Sequence, residues 1–253
     1  MRHLLLLLLG CMPLLNMAQH TAGKIIYGIQ SDFKMEDIEG VTEEQMKRIR
    51  KRMEMASKQK MVLVFDSTES LFRNFDQEKD GNGEQTWESD DGHMRMRFRM
   101  SRPDNEIYAN TATKKLVEMT EFMEKKFLIR EDLETIPWKI TGEMEVIMKY
   151  PCQKATWQKN DSTLIEAWFA PQIPVTSGPK GYGQLPGMIL KLRMGKFGLV
   201  AKEADFTPPK EGDIYVPDEG KKVSREKFHK IVKQKREEMR ELYGDDKKVI
   251  VTH

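Results

Sequence analysis

The chain has 253 residues, with 42 basic against 40 acidic side chains, a formal charge of +2 and 32% charged residues. That length fits one domain, or one domain with appendages, and a balance so close to neutral gives no general electrostatic case for nucleic acid. Beyond the N-terminus no apolar run approaches the ~20 residues of a membrane-spanning helix.

Met1, Arg2 and His3 precede six leucines, Leu4 to Leu9, and Gly10 to Leu15 prolong the apolar run before Asn16, Met17 and Ala18. A short basic start, an apolar run of about a dozen residues and a small residue at the end form the layout of a signal peptide. Cleavage is expected after Ala18, so that residues 1–18 are removed and the mature chain works outside the cytoplasm, in the periplasm, at the outer membrane or secreted. Leu8-Leu9-Gly10-Cys11 offers a second reading, a lipoprotein anchored through Cys11. The leucine run before it is short, and the residues after Cys11 stay apolar. Either way Cys152 is the one cysteine kept in the body of the protein. No internal disulfide framework is expected, and the apolar-polar alternation around Cys152 suits a buried structural thiol.

Gly23 to Gln30 reads as a first strand. Thr42 to Ala56 reads as a helix with a capping-box spacing between Thr42 and Gln45 and an apolar stripe of Met46, Ile49, Met53 and Ala56. Strands are expected at 60–66 and 69–75, a hairpin tip at Asp80 to Glu84, and a strand at Met94 to Met100. In that last strand Arg95, Arg97 and Arg99 line one face, which suits a solvated surface. Further strands fall at 106–110, 114–119, 126–129 and 143–148. Residues 152–158 and 162–170 form a hairpin, and 185–192 and 198–206 another that turns at Gly195. Residues 207–223, rich in proline, glycine and charge, read as a linker. Ser224 caps a second helix that runs to Tyr243, and 247–252 (KVIV flanked by Lys and Thr) makes a short strand. Many short strands with few helices predict a mainly β, α+β fold: an antiparallel curved sheet or open half-barrel with one packed helix, plus a C-terminal helix.

Catalytic chemistry finds little support. Of five histidines only His93 falls in the β region, so a histidine base would rest on it alone. The same scarcity leaves no His/Cys cluster for zinc. Asp76, Glu78, Asp80 and Gly81 match the start of a calcium loop, but Trp87 stands where the bidentate carboxylate belongs. No glycine loop for phosphate precedes a helix. No catalytic residue, metal or cofactor is expected. The densest feature is the stretch from Trp168 to Leu192, where Pro171, Pro174, Pro179 and Pro186 mix with Gly178, Gly181, Gly183 and Gly187 beside Phe169 and Tyr182. Proline fixes φ and glycine frees it, so the mixture specifies one irregular path. It reads first as a rigid wrap between strands. The second reading is a preformed binding rim of Trp168, Pro174, Gly178, Pro179, Tyr182, Leu185, Pro186 and Gly187.

Here the sequence resembles the GLPGLI family of exported Bacteroidetes proteins. Its motif reads Gln184-Leu185-Pro186-Gly187-Met188-Ile189, with Gln184 for the first glycine and Met188 for the second leucine. Trp138-Lys139-Ile140, Tyr150-Pro151-Cys152-Gln153-Lys154-Ala155, and Ala167-Trp168-Phe169 followed by Ile173-Pro174 and Gly178-Pro179 are similar to other family segments. The resemblance covers about 125–195 well and reaches more loosely through 19–206, while the tail after 207 stands outside it. It implies export and an antiparallel sheet curved around a helix, and no activity. The expected function is therefore non-enzymatic binding, in the cell envelope, of an apolar ligand such as a lipid, or of an outer-membrane or periplasmic protein. The alternatives are an envelope hydrolase using carboxylates near the Gly/Pro loop and an assembly protein that docks through its C-terminal helix.

Overall fold

A computed structural model describes residues 20–31, 42–75, 84–88, 95–99 and 104–243; the side chains of 52, 55, 56, 84–88, 95–99 and 243 are outside that description. The export segment, the calcium-like turn at 76–83, His93 and the 247–252 segment therefore lie outside the described residues, as do the side chains of the arginine strand.

The elements in chain order are β1 (Gly23–Ser31), α1 (Glu43–Ser57), β2 (Lys60–Phe65), β3 (Glu69–Asn74), β4 (Glu84–Glu88), β5 (Arg95–Arg99), β6 (Asn105–Asn110), β7 (Lys115–Phe122) and β8 (Lys125–Asp132). β9 (Lys139–Ile147), β10 (Tyr150–Asn160), β11 (Thr163–Ala170), β12 (Met188–Met194), β13 (Phe197–Asp205), β14 (Lys221–Lys222) and α2 (Arg225–Tyr243) complete the chain. Twelve strands make one open sheet, ordered β14-β8-β7-β6-β3-β2-β1-β13-β12-β11-β10-β9, while β4 and β5 pair apart from it. Every pairing in the sheet is antiparallel except β14 with β8. The expected mainly β, curved sheet with a helix near each end of the chain is what the structure has.

The first strand is the seam of the sheet. β1 pairs β2 on one side and β13 on the other, from Lys24↔Asp205 to Ser31↔Phe197. Its Tyr27 is fully buried and donates its hydroxyl to the carbonyl of Ile189 at 2.6 Å. The main core joins Ile25, Tyr27, Leu63, Phe65 and Phe72 from one half to Tyr150, Cys152, Trp168, Met188 and Leu190 from the other. The curvature is visible in Phe206, whose ring lies edge-on to both Phe65 of β2 and Tyr150 of β10. Those two strands stand five places apart in the sheet order.

What fills the inner face is not mainly a helix. Thr42 and Gln45 cap α1 reciprocally, as the spacing predicts. Its stripe residues Met46, Ile49 and Met53 are only half-buried, however, and its neighbour is the margin of β1. The segment 171–187 takes the central place. Ile173, Val175, Ser177, Pro179 and Leu185 turn inward while Pro174, Thr176 and Pro186 turn out. This alternation places apolar groups in the core and prolines, which need no donor partner, at the surface.

The tail beyond Phe206 wraps one edge of the sheet. Side chains alternate across a strand, so Val117 and Met119 lie on one face of β7 and Glu118 and Phe122 on the other. Ile214 packs with Val117, Met119, Leu128, Leu71 and Tyr108 on the first face. β14 then adds beside β8, with Val223 N–H donating to the carbonyl of Leu128. On the second face Arg225 binds both Glu118 and Glu131, and Phe228 packs against Phe122 and Phe127. The 214–223 stretch is thus held to the sheet, with Tyr215 on Glu106 and Glu219 on Lys126.

Candidate functional site

The Gly/Pro segment owes its path to a few backbone positions. Gly187 has φ +153°, and a Cβ there would stand 2.4 Å from the carbonyl oxygen of Ala170. At Gly183 a Cβ would meet the carbonyl oxygen of Thr176 at the same 2.4 Å. Gln184, which occupies the motif's first glycine position, sits at φ +66°. A side chain in this left-handed region costs about 1–2 kcal/mol, and here it is put to use. The Gln184 amide donates to the carbonyl of Glu134 at 2.6 Å, and its oxygen accepts from the N–H of Ile136 at 3.1 Å. Trp138 Nε1 donates to the carbonyl of Gly183 at 2.9 Å. Three bonds thereby fasten the stretch before β9 onto the loop.

The residues singled out from sequence do not gather around an opening. Gly178, Pro179, Leu185 and Gly187 are buried, Trp168 is 7% exposed, and Tyr182 is half-buried beside Trp138; only Pro174 and Pro186 face outward. Leu185 and Tyr182 belong to a second core cluster with Ile165, Phe169, Ile189 and Leu192. Burial raises the pKa of the Tyr182 hydroxyl and lowers that of the Lys180 amine, the latter opposed by nearby Glu118. Desolvation pushes the Cys152 thiol up to about 11, so at neutral pH it is a protonated core group.

Trp168 is roofed by two lysines, with Lys191 Nζ 4.3 Å and Lys154 Nζ 5.3 Å from the ring centre. Carboxylates do lie beside it. Lys154 holds Glu143 and Glu166 at 3.0 and 2.9 Å, Lys191 holds Glu145 at 2.7 Å, and Arg193 reaches Glu166 at 3.5 Å. This is a cross-strand lattice of opposite charges over β9–β12, an arrangement that stabilises paired strands, with Lys154, Glu166 and Lys191 mostly buried within it. Glu143 and Glu166 share the Lys154 ammonium. The two best-formed clefts among the described residues measure about 190 Å³, between Glu106, Lys126, Tyr215 and Glu219, and about 30 Å³ near Lys196 and Phe197. Both fall below the roughly 300–1,000 Å³ of a drug-sized ligand pocket, and neither is an apolar groove for a lipid.

Among the described residues β9 is the last strand in the order and has no strand beside its outer edge. Ile140, Met144 and Val146 are 50, 61 and 69% exposed, and Met148 continues their row in the following turn. Ile147 pairs Tyr150 across the two-residue turn Met148-Lys149. The pair closing such a hairpin is hydrogen-bonded and the next is not. Ile147 and Glu145 therefore spend their backbone groups on β10, while Val146 and Met144 point theirs outward. Val146 stands opposite Pro151, which has no N–H to offer and is tolerated at such a place. Ile140 pairs Ala155, two residues from Trp157 and on the same face. Trp157 in turn meets Trp138, which meets Tyr182, with ring centres 6.4 Å apart in each case. Unpaired backbone, an apolar row and three half-buried aromatic rings thus adjoin. Sequence reading placed a strand over 143–148 but could not find this surface. The alternation Met144/Val146/Met148 against Glu143/Glu145/Ile147 shows two faces without showing which is covered.

A family described as a protein of unknown function (Porph_ging) matches residues 158–191, the end of β10 through β11 and the loop into β12. No curated protein matches the chain. Two crystal structures of PNGF-II, in space groups C2 and P21, are similar in fold: 15% identical, with TM-scores of 0.54 and 0.53. They cover 85% of this chain and 33 and 34% of their own. The chain spans about a third of the length of those proteins, and at this identity the likeness is one of fold alone. The family match falls on the loop and its flanking strands, where Gln184 and Gly187 fix the backbone.

Proposed function

We propose that this is an exported cell-envelope protein that works by docking a partner chain along the open edge of β9, and not by catalysis. Export is supported by the basic, apolar and small-residue layout of 1–18 and by the similarity of 184–189 to the GLPGLI motif, which is consistent with the unknown-function family matched over 158–191. The observation that carries the docking reading is the exposed row Ile140, Met144 and Val146 on a strand whose outer backbone groups find no strand partner among the described residues. Proteins ordinarily blunt such edges with charge, proline or cover, and the opposite edge of this sheet ends in the two-residue, double-lysine strand β14. Tryptophan, tyrosine and methionine are also enriched where proteins meet.

The small clefts among the described residues favour a protein partner over an apolar ligand. The hydrolase alternative loses its support because Glu143, Glu145 and Glu166 are tied to lysine and arginine. The test is crosslinking in cells, with a photoreactive side chain in place of Met144 or, as control, of the exposed Lys222 on the opposite, lysine-bearing edge. Adducts at 144 in the extracytoplasmic fraction and none at 222 are expected. Equal yields at both, or a chain retained in the cytoplasm with residues 1–18 attached, would refute the reading.

A further inference from the structure

We propose that the partner at the β9 edge is a second copy of this chain, joined β9 to β9 antiparallel about a two-fold axis at Val146. This deepens the docking reading and rests on it. Three features of the described residues carry it.

The first is the usable edge. Met144 pairs Gln153 while Ile140 pairs Ala155, so four steps along β9 match two along β10 and the strand is irregular between them. Such an irregularity interrupts pairing. At the other end the chain turns at Met148, whose φ is +59°. The regular edge is therefore Met144 to Ile147, with its outward backbone groups on Met144 and Val146. So short an edge suits a compact symmetric contact. Val146 exchanges both its N–H and its C=O with the partner's Val146, and Met144 faces the head of the partner's turn.

The second is the apolar row. A two-fold axis perpendicular to the sheet keeps each face on its own side. Met144 then meets the partner's Met148, Val146 meets its own copy, and Met148 meets the partner's Met144. All three are exposed in the single chain, and here they cover one another. An isologous contact needs a patch of this kind, one that is complementary to itself.

The third is charge. In Glu143-Met144-Glu145-Val146-Ile147-Met148-Lys149 opposite charges stand three residues to either side of Val146. The axis therefore sets Glu143 of each copy against Lys149 of the other, and Glu145 against Ile147. Glu143 keeps 65% of its side chain exposed beside Lys154, and Lys149 is exposed. The neighbouring registers do less well. One centred on Met144 opposes Glu143 to Glu145, and one centred on Glu145 opposes that residue to itself. Like charges directly opposed are destabilising.

The experiment traps the register in the mature chain, where Cys152 is buried. Residues in a hydrogen-bonded antiparallel pair have Cα atoms about 5.5 Å apart, within reach of a disulfide. Val146→Cys should give a disulfide-linked dimer on mild oxidation. Met144→Cys should give at least about tenfold less, because its two copies stand about 13 Å apart along the strands. Sedimentation velocity then compares charge variants up to about 100 μM, the range of a modest interface. Glu143→Lys alone and Lys149→Glu alone should each dimerise at least about tenfold more weakly than the parent. Mixed, they should form a one-to-one complex, because opposite charges meet again at both ends. Circular dichroism confirms that each is folded, and the recovery on mixing is a result that a loss of fold would not give. A parent that stays monomeric, Met144→Cys linking as well as Val146→Cys, or a mixture that fails to recover overturns the proposal. Adducts from position 144 in the cell are expected to join this chain to itself. Adducts to a different protein, with Val146→Cys unlinked, would leave the docking edge in place and overturn only the second copy.

Discussion

Substituting Gln184 by alanine and by glycine separates backbone strain from hydrogen bonding in the loop. Gln184 holds φ +66°, which costs an ordinary residue about 1 kcal/mol and glycine almost nothing. Its side chain returns two hydrogen bonds, to the Glu134 carbonyl and the Ile136 N–H, worth about 1 kcal/mol each. Gln184→Ala keeps the strain and loses both bonds, so a loss of about 2 kcal/mol is expected. Gln184→Gly loses the same bonds but relieves the strain, for a net loss of about 1 kcal/mol. Urea unfolding followed by tryptophan fluorescence reads the difference, since Trp138 is bonded to Gly183 next door. The order of stability should be Gln, then Gly, then Ala, at an unchanged denaturant slope. Alanine equal to or better than glycine would refute the strain, and two variants as stable as the parent would refute the pin.

Gly187→Ala should be far worse, by about 3 kcal/mol or more, because its Cβ would overlap the Ala170 carbonyl at an unfavourable φ; failure to recover folded protein, or a midpoint well below that of Gln184→Ala, is the expected result. Arg225→Ala should cost about 2 kcal/mol by leaving the mostly buried Glu118 without its cation, and should open 207–224 to limited proteolysis before global unfolding. Tyr27→Phe strands the Ile189 carbonyl in the core and should cost about 1–2 kcal/mol by thermal melting. Cys152 should resist alkylation at pH 8 and react on unfolding, with a thiolate fraction lower in the folded state by about 300-fold relative to an ordinary thiol near 8.5. Because its folded pKa is raised to about 11, the unfolded thiol ionises first. The group's contribution is therefore complete below pH ~8.5 and is lost as pH climbs toward 11, so alkaline melts should show falling stability that Cys152→Ala lacks.

Local pattern carried the strands and hairpins well. The β10–β11 turn and the β12–β13 turn at Gly195 are where alternation and turn residues put them. Gly178 to Gly187 follows one irregular path between β11 and β12, and of the residues read as a possible rim Pro174 and Pro186 are exposed, Tyr182 is half-buried and the others are buried. The expected start of the twelfth strand at Leu185 moves to Met188, since Gly187 at φ +153° interrupts the extended run. Non-local facts were not legible. Nothing near Gly23 announces that β1 will lie between β2 and β13, because that register is fixed by partners some 175 residues away. Composition marked 207–223 as a linker, but composition weighs proline, glycine and charge, and does not register that Ile214, Tyr215 and Glu219 each find a fixed partner. The stripe of α1 reads as core, yet a stripe specifies only a side that prefers cover, and the loop had taken the centre. The docking edge escaped for the same reason: exposure belongs to the sheet order and not to the strand.

Hydrogen exchange resolved to the single amides of β9 tests the open edge most directly. In the dilute mature chain the amides of Met144 and Val146 should exchange fast while those of Glu145 and Ile147 are slow. Met144 and Val146 as well protected as Glu145 and Ile147 would contradict the account.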